Sequence, residues 1–244
     1  MSIINKNIEN LSSLWELAGN QYQALQLHDT FKSVVIPDSQ WPNRIWSNSM
    51  HIPLNITGVS DFMVSRSTPT TLSVFNRDQS AETPSLKDLK KTSEQIGMHL
   101  KLENSFPNSE LSLERVNEQI GSGLWSHLFE KSFGYSIPSQ VVMRLIKHAD
   151  FFILISGTKP IGTALLYHSN SEVMGIHSLG IIPEFRRQGF AEQAMYKLLN
   201  IAYLQNFEYA VLQASAAGLG IYKKLGFSSD FTIENYRFIN HKNN

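Results

Sequence analysis

The residues best suited to chemistry fall in one run, Leu179-Gly180-Ile181-Ile182-Pro183-Glu184-Phe185-Arg186-Arg187-Gln188-Gly189-Phe190-Ala191. An apolar stretch ends there and an amphipathic helical pattern begins. A helix start leaves four backbone N–H groups without partners and carries the positive end of the helix dipole, so it can hold a phosphate through the main chain. Gly189 lets the backbone approach closely, Ala191 keeps the next contact small, and Arg186 and Arg187 put positive charge at the rim. The pattern is that of an anion cradle. The same residues also suit a plain strand-to-helix crossover with solvated arginines, and this run alone leaves both readings open.

The elements that must position this run follow from hydrophobic spacing. Phe151–Ser156 is a continuous apolar run, short enough for a strand buried on both faces, and Gly157-Thr158-Lys159-Pro160 turns it back into Ile161–Tyr167 as a hairpin. Val173–Ile181 reads as the third strand. Ala191, Ala194, Met195, Leu198, Leu199 and Ala202 share one helical face. Tyr209–Ala214 then reads as a strand, Leu219–Leu225 as a short helix ended by Gly226, and Phe227 to Ile239 as one or two closing strands. Helices are expected over Asn117–Phe133 and Ser139–His148. Hairpins followed by a helical crossover imply a mixed α/β sheet.

The first half is less regular. A helix is expected around Ile8 to Ala18 and a second from Ser85 to Ile96, with short apolar stretches at Phe31–Ile36 and Thr71–Phe75 between clusters of Pro, Asn and Ser. Its most distinctive feature is Trp41-Pro42-Asn43-Arg44-Ile45-Trp46, where paired tryptophans could wall a substrate pocket but read more readily as packing. The aromatics Trp125, Phe129, Phe133 and Tyr135, with Leu124, read as core in the same way. The turn-forming stretch Asn104 to Ser109 marks a boundary, giving an α/β segment over 1–108 and a second domain over 109–244.

Composition narrows the chemistry. The chain has 244 residues, 42% of them hydrophobic, with Lys plus Arg and Asp plus Glu balanced at 21 each. No global field draws a polyanion, so nucleic acid is not an expected partner. The absence of cysteine excludes disulfides, thiolate metal sites and a cysteine nucleophile, and no metal is expected. With no leader-like start and no apolar run of about 18 residues, a membrane is not an expected partner and a cytoplasmic location is the default.

A second run follows at the right distance, Leu212-Gln213-Ala214-Ser215-Ala216-Ala217-Gly218-Leu219-Gly220-Ile221-Tyr222-Lys223-Lys224-Leu225-Gly226-Phe227. With it, roughly residues 110–240 resemble the GCN5-related N-acetyltransferase (GNAT) superfamily. The Arg-x-x-Gly-x-Ala of Arg186, Gly189 and Ala191 resembles that family's pyrophosphate loop, and Tyr222, Leu225, Gly226 and Phe227 resemble its C-terminal signature. The resemblance implies a GNAT fold, a mixed central sheet flanked by helices. Residues 1–108 would then be a further α/β unit, open to reading as a degenerate copy of that fold.

The resemblance also implies roles. Acetyl-CoA would be the cofactor, released as CoA. Leu179 and Ile181 would bond the pantetheine arm through their main chain, with Gly180 at the family's bulge. Arg187, Gln188, Gly189, Phe190, Ala191 and Glu192 would offer amides to the pyrophosphate, and Arg186 would add charge. Ser215 stands where many members have asparagine. Tyr222 matches the tyrosine near the thioester sulfur that serves as general acid. His177 is the candidate base, because strand alternation puts it on one face with Leu179 and Ile181. Ala210 stands where certain members carry a catalytic glutamate, a departure that removes that version of the mechanism.

The implied activity is acetyl transfer to a primary amine by direct transfer in a ternary complex. The alternative is a CoA-binding module without turnover, acting as a sensor or interaction subunit. A small-molecule amine, an amino acid, and a protein N-terminus or lysine all stay open as acceptor, and homodimerisation stays open too.

Overall fold

Strand order decides where the site sits. The computed structural model describes residues 1–47, 54–77, 88–117 and 119–239. Among these, eleven strands form one mixed sheet: β1 (Leu25–Leu27), β2 (Phe31–Val34), β3 (Arg44–Ser47), β4 (Thr71–Asn76), β5 (Leu89–Lys101), β6 (Ser112–Arg115), β7 (Asp150–Ser156), β8 (Lys159–Tyr167), β9 (Val173–Ile181), β10 (Tyr209–Ala214) and β11 (Ser228–Phe238). Their spatial order is β1-β2-β3-β4-β11-β5-β10-β9-β8-β7-β6. The helices are α1 (Ile3–Gln21), α2 (Ile56–Val64), α3 (Gln119–Phe133), α4 (Ser139–Leu145), α5 (Phe190–Leu204) and α6 (Leu219–Lys224). None is long and apolar enough to cross a membrane.

The apolar alternation of the strands builds a core on each face. On one face α1, α3 and α4 bring Leu14, Trp15, Trp125, Phe129 and Val142 against Phe151, Ile153, Leu165 and Phe231. On the other, α5 packs Ala194, Met195, Leu198, Leu199 and Ala202 onto Phe152, Leu154, Ala164, Met174 and Leu212. Residues 151–154 of the run 151–156 are therefore buried on both faces, as their continuous apolarity predicts, while Ile155 and Ser156 at its end are partly exposed. Further along the sheet, α2 covers Phe31, Ile45 and Leu72 with Val59 and Met63.

The helix expected from Ser85 to Ile96 is a strand from Leu89 onward, and residues 85–87 lie outside the described set. Lys, Glu and Gln favour helix in isolation, but here the segment pairs on both edges, antiparallel to β10 and to β11. Tertiary pairing overrides propensity. Gly97 permits it, since a Cβ there would stand 2.2 Å from the Phe231 ring. Although β5 precedes residue 108, it lies between β10 and β11, so the ladder runs unbroken across the boundary read from the sequence.

Helix α1 is bound to the sheet by buried amides. Asn7 Nδ2 donates to the Met98 carbonyl at 2.9 Å and its Oδ1 accepts from Gln213 Nε2 at 2.7 Å. Asn10 Nδ2 donates to the Tyr167 carbonyl at 3.0 Å. Both asparagines are fully buried, and at that depth an unmade bond would cost about 1–3 kcal/mol. Lys6 adds an ion pair with Glu172 at the start of β9.

Candidate active site

Strands β9 and β10 run parallel but pair only over Val173 to Gly175 against Tyr209 to Val211. Beyond that point they diverge, and the gap between them is the site. The divergence has a local cause. Ser178 takes φ +51° and the β8–β9 register slips between Leu165↔His177 and Thr163↔Gly180, a β-bulge that bends the strand. The Ser178 carbonyl is held by Thr163 Oγ1 at 2.9 Å.

The bulge also corrects the alternation argument for His177. One extra residue moves it off the face of Leu179 and Ile181, which pack on the α5 side. His177 instead faces α1, with Nε2 2.9 Å from Asn10 Oδ1. Because the Asn10 amide nitrogen is spent on Tyr167, its oxygen faces the ring and Nε2 carries the hydrogen. Burial pushes the imidazole down to about 4, partly offset by contact with Gln213. It is neutral at pH 7. The positive φ expected of a bulge sits at Ser178, while Gly180 is small because a Cβ there would strike Phe133 and Ser132 of α3.

A groove of about 830 Å³ leads into the gap along the N-terminus of α5, lined by Leu179, Gly180, Ile181, Arg186, Arg187, Gly189, Phe190, Ala191, Glu192, Ser215 and Tyr222. Gly189 is the N-cap at φ +81° and no side chain caps this helix. Its first bond runs from Gln193 N–H to the Gly189 carbonyl, so the N–H groups of Phe190, Ala191 and Glu192 are left for a ligand. A Cβ on Gly189 meets nothing within 4 Å, and Arg187 shares the positive φ at +62°. Gln188 donates its amide to the Glu184 carbonyl at 3.3 Å.

Arg186 is less free than its type suggests. Its Nε donates to the Ile181 carbonyl at 3.0 Å and Nη2 to the Ser132 carbonyl at 2.8 Å, so it braces β9 against α3. The Ile181 carbonyl is correspondingly occupied. Glu192 turns its carboxylate away to Lys224 and Tyr196, which hold it below the ordinary carboxylate range. The exposed Ser215 accepts Gly218 and Leu219 N–H groups through its carbonyl and so starts α6.

Tyr222 on α6 stands at the junction. It lines both the groove and a second cavity of about 150 Å³, and desolvation pushes its phenol up to about 12. Its hydroxyl has no hydrogen-bond partner among the described residues. The second cavity is also lined by His177, Ser178, Gln213, Phe129, Phe133 and Tyr135, and by Leu11, Leu14, Trp15, Trp41, Arg44 and Gln95 from the first half of the chain. Sequence reasoning missed most of this second wall. Trp41 lines the cavity while Trp46 is core, and Phe129 and Tyr135 serve both core and cavity, whereas Phe133 and Leu124, read as core from their spacing, are exposed, Phe133 lining the cavity. The tryptophan pair was a visible signal. Asn7, Asn10 and Arg44 carried none, because their partners lie far away in sequence.

Residues 119–227 match the Acetyltransferase (GNAT) family model. The whole fold is similar to that of a GCN5-related N-acetyltransferase from Kribbella flavida, at 13% identity, with 95% of each chain covered and a TM-score of 0.66. A GCN5-related N-acetyltransferase from Sphaerobacter thermophilus matches at 12% identity over 97% of this chain and 93% of that one, TM-score 0.60. A functionally unknown conserved protein from Staphylococcus epidermidis matches at 12% identity over 87% and 92%, TM-score 0.61. At such identities the likeness is one of fold. No curated protein matches the sequence.

Proposed function

From the premise that residues 119–227 carry a GNAT acetyltransferase domain, we propose that this protein transfers an acetyl group from acetyl-CoA to a primary amine in a ternary complex. The observation that carries the reading is Tyr222, whose phenol has no hydrogen-bond partner among the described residues and lines both the groove and the cavity. The groove fits the cofactor. Three uncapped N–H groups and the helix dipole suit a pyrophosphate, and the free edge of β9 at Leu179 suits a pantetheine amide.

Acetyl-CoA supplies the acetyl group as a thioester. The chain's own residues manage protons and orientation. As the amine nitrogen bonds to the carbonyl carbon and the carbon–sulfur bond breaks, Tyr222 donates its hydroxyl proton to the departing sulfur. With its affinity for protons raised by burial, the phenolate then recovers the proton shed by the acylated nitrogen, and the balance closes. His177 is proposed on the acceptor side. A conjugate acid near 4 stores no proton at neutrality, so the amine enters neutral and the imidazole orients it.

Calorimetric titration with acetyl-CoA, with NADH as control, tests the reading. Saturable acetyl-CoA binding that NADH does not reproduce supports it, followed by amine-dependent thiol release. Binding without turnover on any amine favours the alternative of an inactive CoA-binding module, and no binding overturns both.

A further inference from the structure

Arg44 is a partly buried cation, its Nε fully enclosed, without a counter-ion among the described residues. It opens β3 inside Trp41-Pro42-Asn43-Arg44, and its loop is fixed by Asn43, whose Oδ1 accepts from Ile36 N–H at 2.8 Å and whose Nδ2 donates to the Ser39 carbonyl at 2.6 Å. Nη1 donates to Ser73 Oγ at 3.0 Å and Asn235 Oδ1 at 2.6 Å. Asn235 is in turn held by Ser93 and Gln95, so this network is neutral throughout. The guanidinium lies 5.4 Å from the Trp15 ring centroid and beside the Tyr135 phenol.

The other edge of the guanidinium is bare. Nε is buried with no partner, Nη2 has none among the described residues, and no carboxylate of those residues forms an ion pair with Arg44. Glu234, its nearest acidic neighbour along β11 in sequence, sends its carboxylate to Asn76, Lys91 and Tyr236 instead. Burying a charge without an opposite charge is costly, and the vacant Nε–Nη2 edge is the fork that grips a planar carboxylate with two parallel bonds. Arg44 lines the same cavity as Tyr222 and His177.

We propose that Arg44 binds the carboxylate of the acceptor, which makes the acceptor a free amino acid with an apolar side chain. The inference rests on the acetyl-transfer reading above and narrows it. A carboxylate on the fork leaves the amine of the same small molecule inside the cavity that Tyr222 borders. The volume of about 150 Å³ suits a ligand of roughly benzene size, and Leu14, Trp15, Trp41 and Phe129 provide apolar walls. A protein lysine or N-terminus brings no adjacent carboxylate, and a polyamine would meet Arg44 as a like charge.

The test compares matched acceptors on the unaltered protein: alanine, leucine and phenylalanine, their carboxamides, and the amines lacking the carboxyl group. Thiol release with acetyl-CoA reads turnover, and quenching of tryptophan fluorescence at Trp15 and Trp41 with CoA present reads binding. The free acids should bind and react with KM about 10- to 100-fold below their amides, the span of a hydrogen bond to a charged group. Arg44→Lys keeps the charge but removes the fork, and should erase most of that preference while leaving the calorimetric acetyl-CoA affinity unchanged. Acids and amides of equal KM, a preference untouched by Arg44→Lys, or no amino-acid binding to a protein that does bind CoA overturns the inference alone. Failure to bind acetyl-CoA overturns the function it rests on.

Discussion

The groove and the cavity meet at Tyr222 yet are built on opposite plans. The groove is drawn mainly from two nearby runs, 179–192 and 215–222, closed by Ser132 and Phe133 of α3, and the donors it offers are backbone amides at a helix start. The cavity converges from α1, the loop before β3, β5, α3, β9, β10 and α6, and its working groups are side chains. Backbone geometry needs only local sequence to specify it, whereas convergent side chains need the whole sheet. The groove is therefore readable in the sequence while the cavity is not.

The sharpest break between the two regions is at their junction. Tyr222→Phe should lower kcat by about 10²- to 10⁴-fold while leaving the acetyl-CoA dissociation constant near its original value, since the groove keeps its amides. Equal turnover in calorimetrically matched proteins would reduce the phenol to packing. Because burial pushes the phenol up to about 12, the pH–rate profile of the unaltered protein should show no Tyr222 inflection near the ordinary phenol value of about 10.

The next effect belongs to the cavity alone. His177 has its folded value at about 4 against 6.5 in the unfolded chain, so between those values the unfolded state binds the extra proton. Stability is complete above pH 6.5 and falls as pH drops towards 4, by about 3 kcal/mol at most from this group. Urea unfolding across that window should show the slope, and His177→Gln should flatten it.

Gly189→Val strikes the groove. A β-branched residue at φ +81° is strained although a Cβ there meets no neighbour, so the cost falls on the backbone that presents the α5 amides. Acetyl-CoA affinity should fall at least tenfold. An unchanged calorimetric constant would remove the cradle from the reading.

Smallest in stability terms is Asn10→Ala. It strands the Tyr167 carbonyl and the His177 ring, at about 1–3 kcal/mol in urea unfolding. It should disturb acceptor KM before acetyl-CoA binding, because Asn10 supports the cavity and not the groove. The reverse order would mean that α1 has no part in acceptor binding.

These two regions also measure what was legible. The hairpin 151–167, the strand ending at Ile181 and the helix after Gly189 followed from periodicity, since each buries residues that its own spacing marks as apolar. Residues 85–96 misled because polar helix formers gave no sign of partners on both edges. His177 misled for a smaller reason. Simple alternation fails across a bulge, and a serine at positive φ is not announced by its type.

Sequence by itself thus determined the helix that starts after Gly189, the short helix that carries Tyr222 and the mixed α/β architecture, because these depend on contacts within a few turns of chain. Tertiary structure alone decided the rest. It inserted β5 between β10 and β11, docked α1 through Asn7 and Asn10, and carried Arg44 to the cavity that Tyr222 borders. Those placements depend on pairings of residues 91 to 206 positions apart, and no local pattern encodes a partner at that distance.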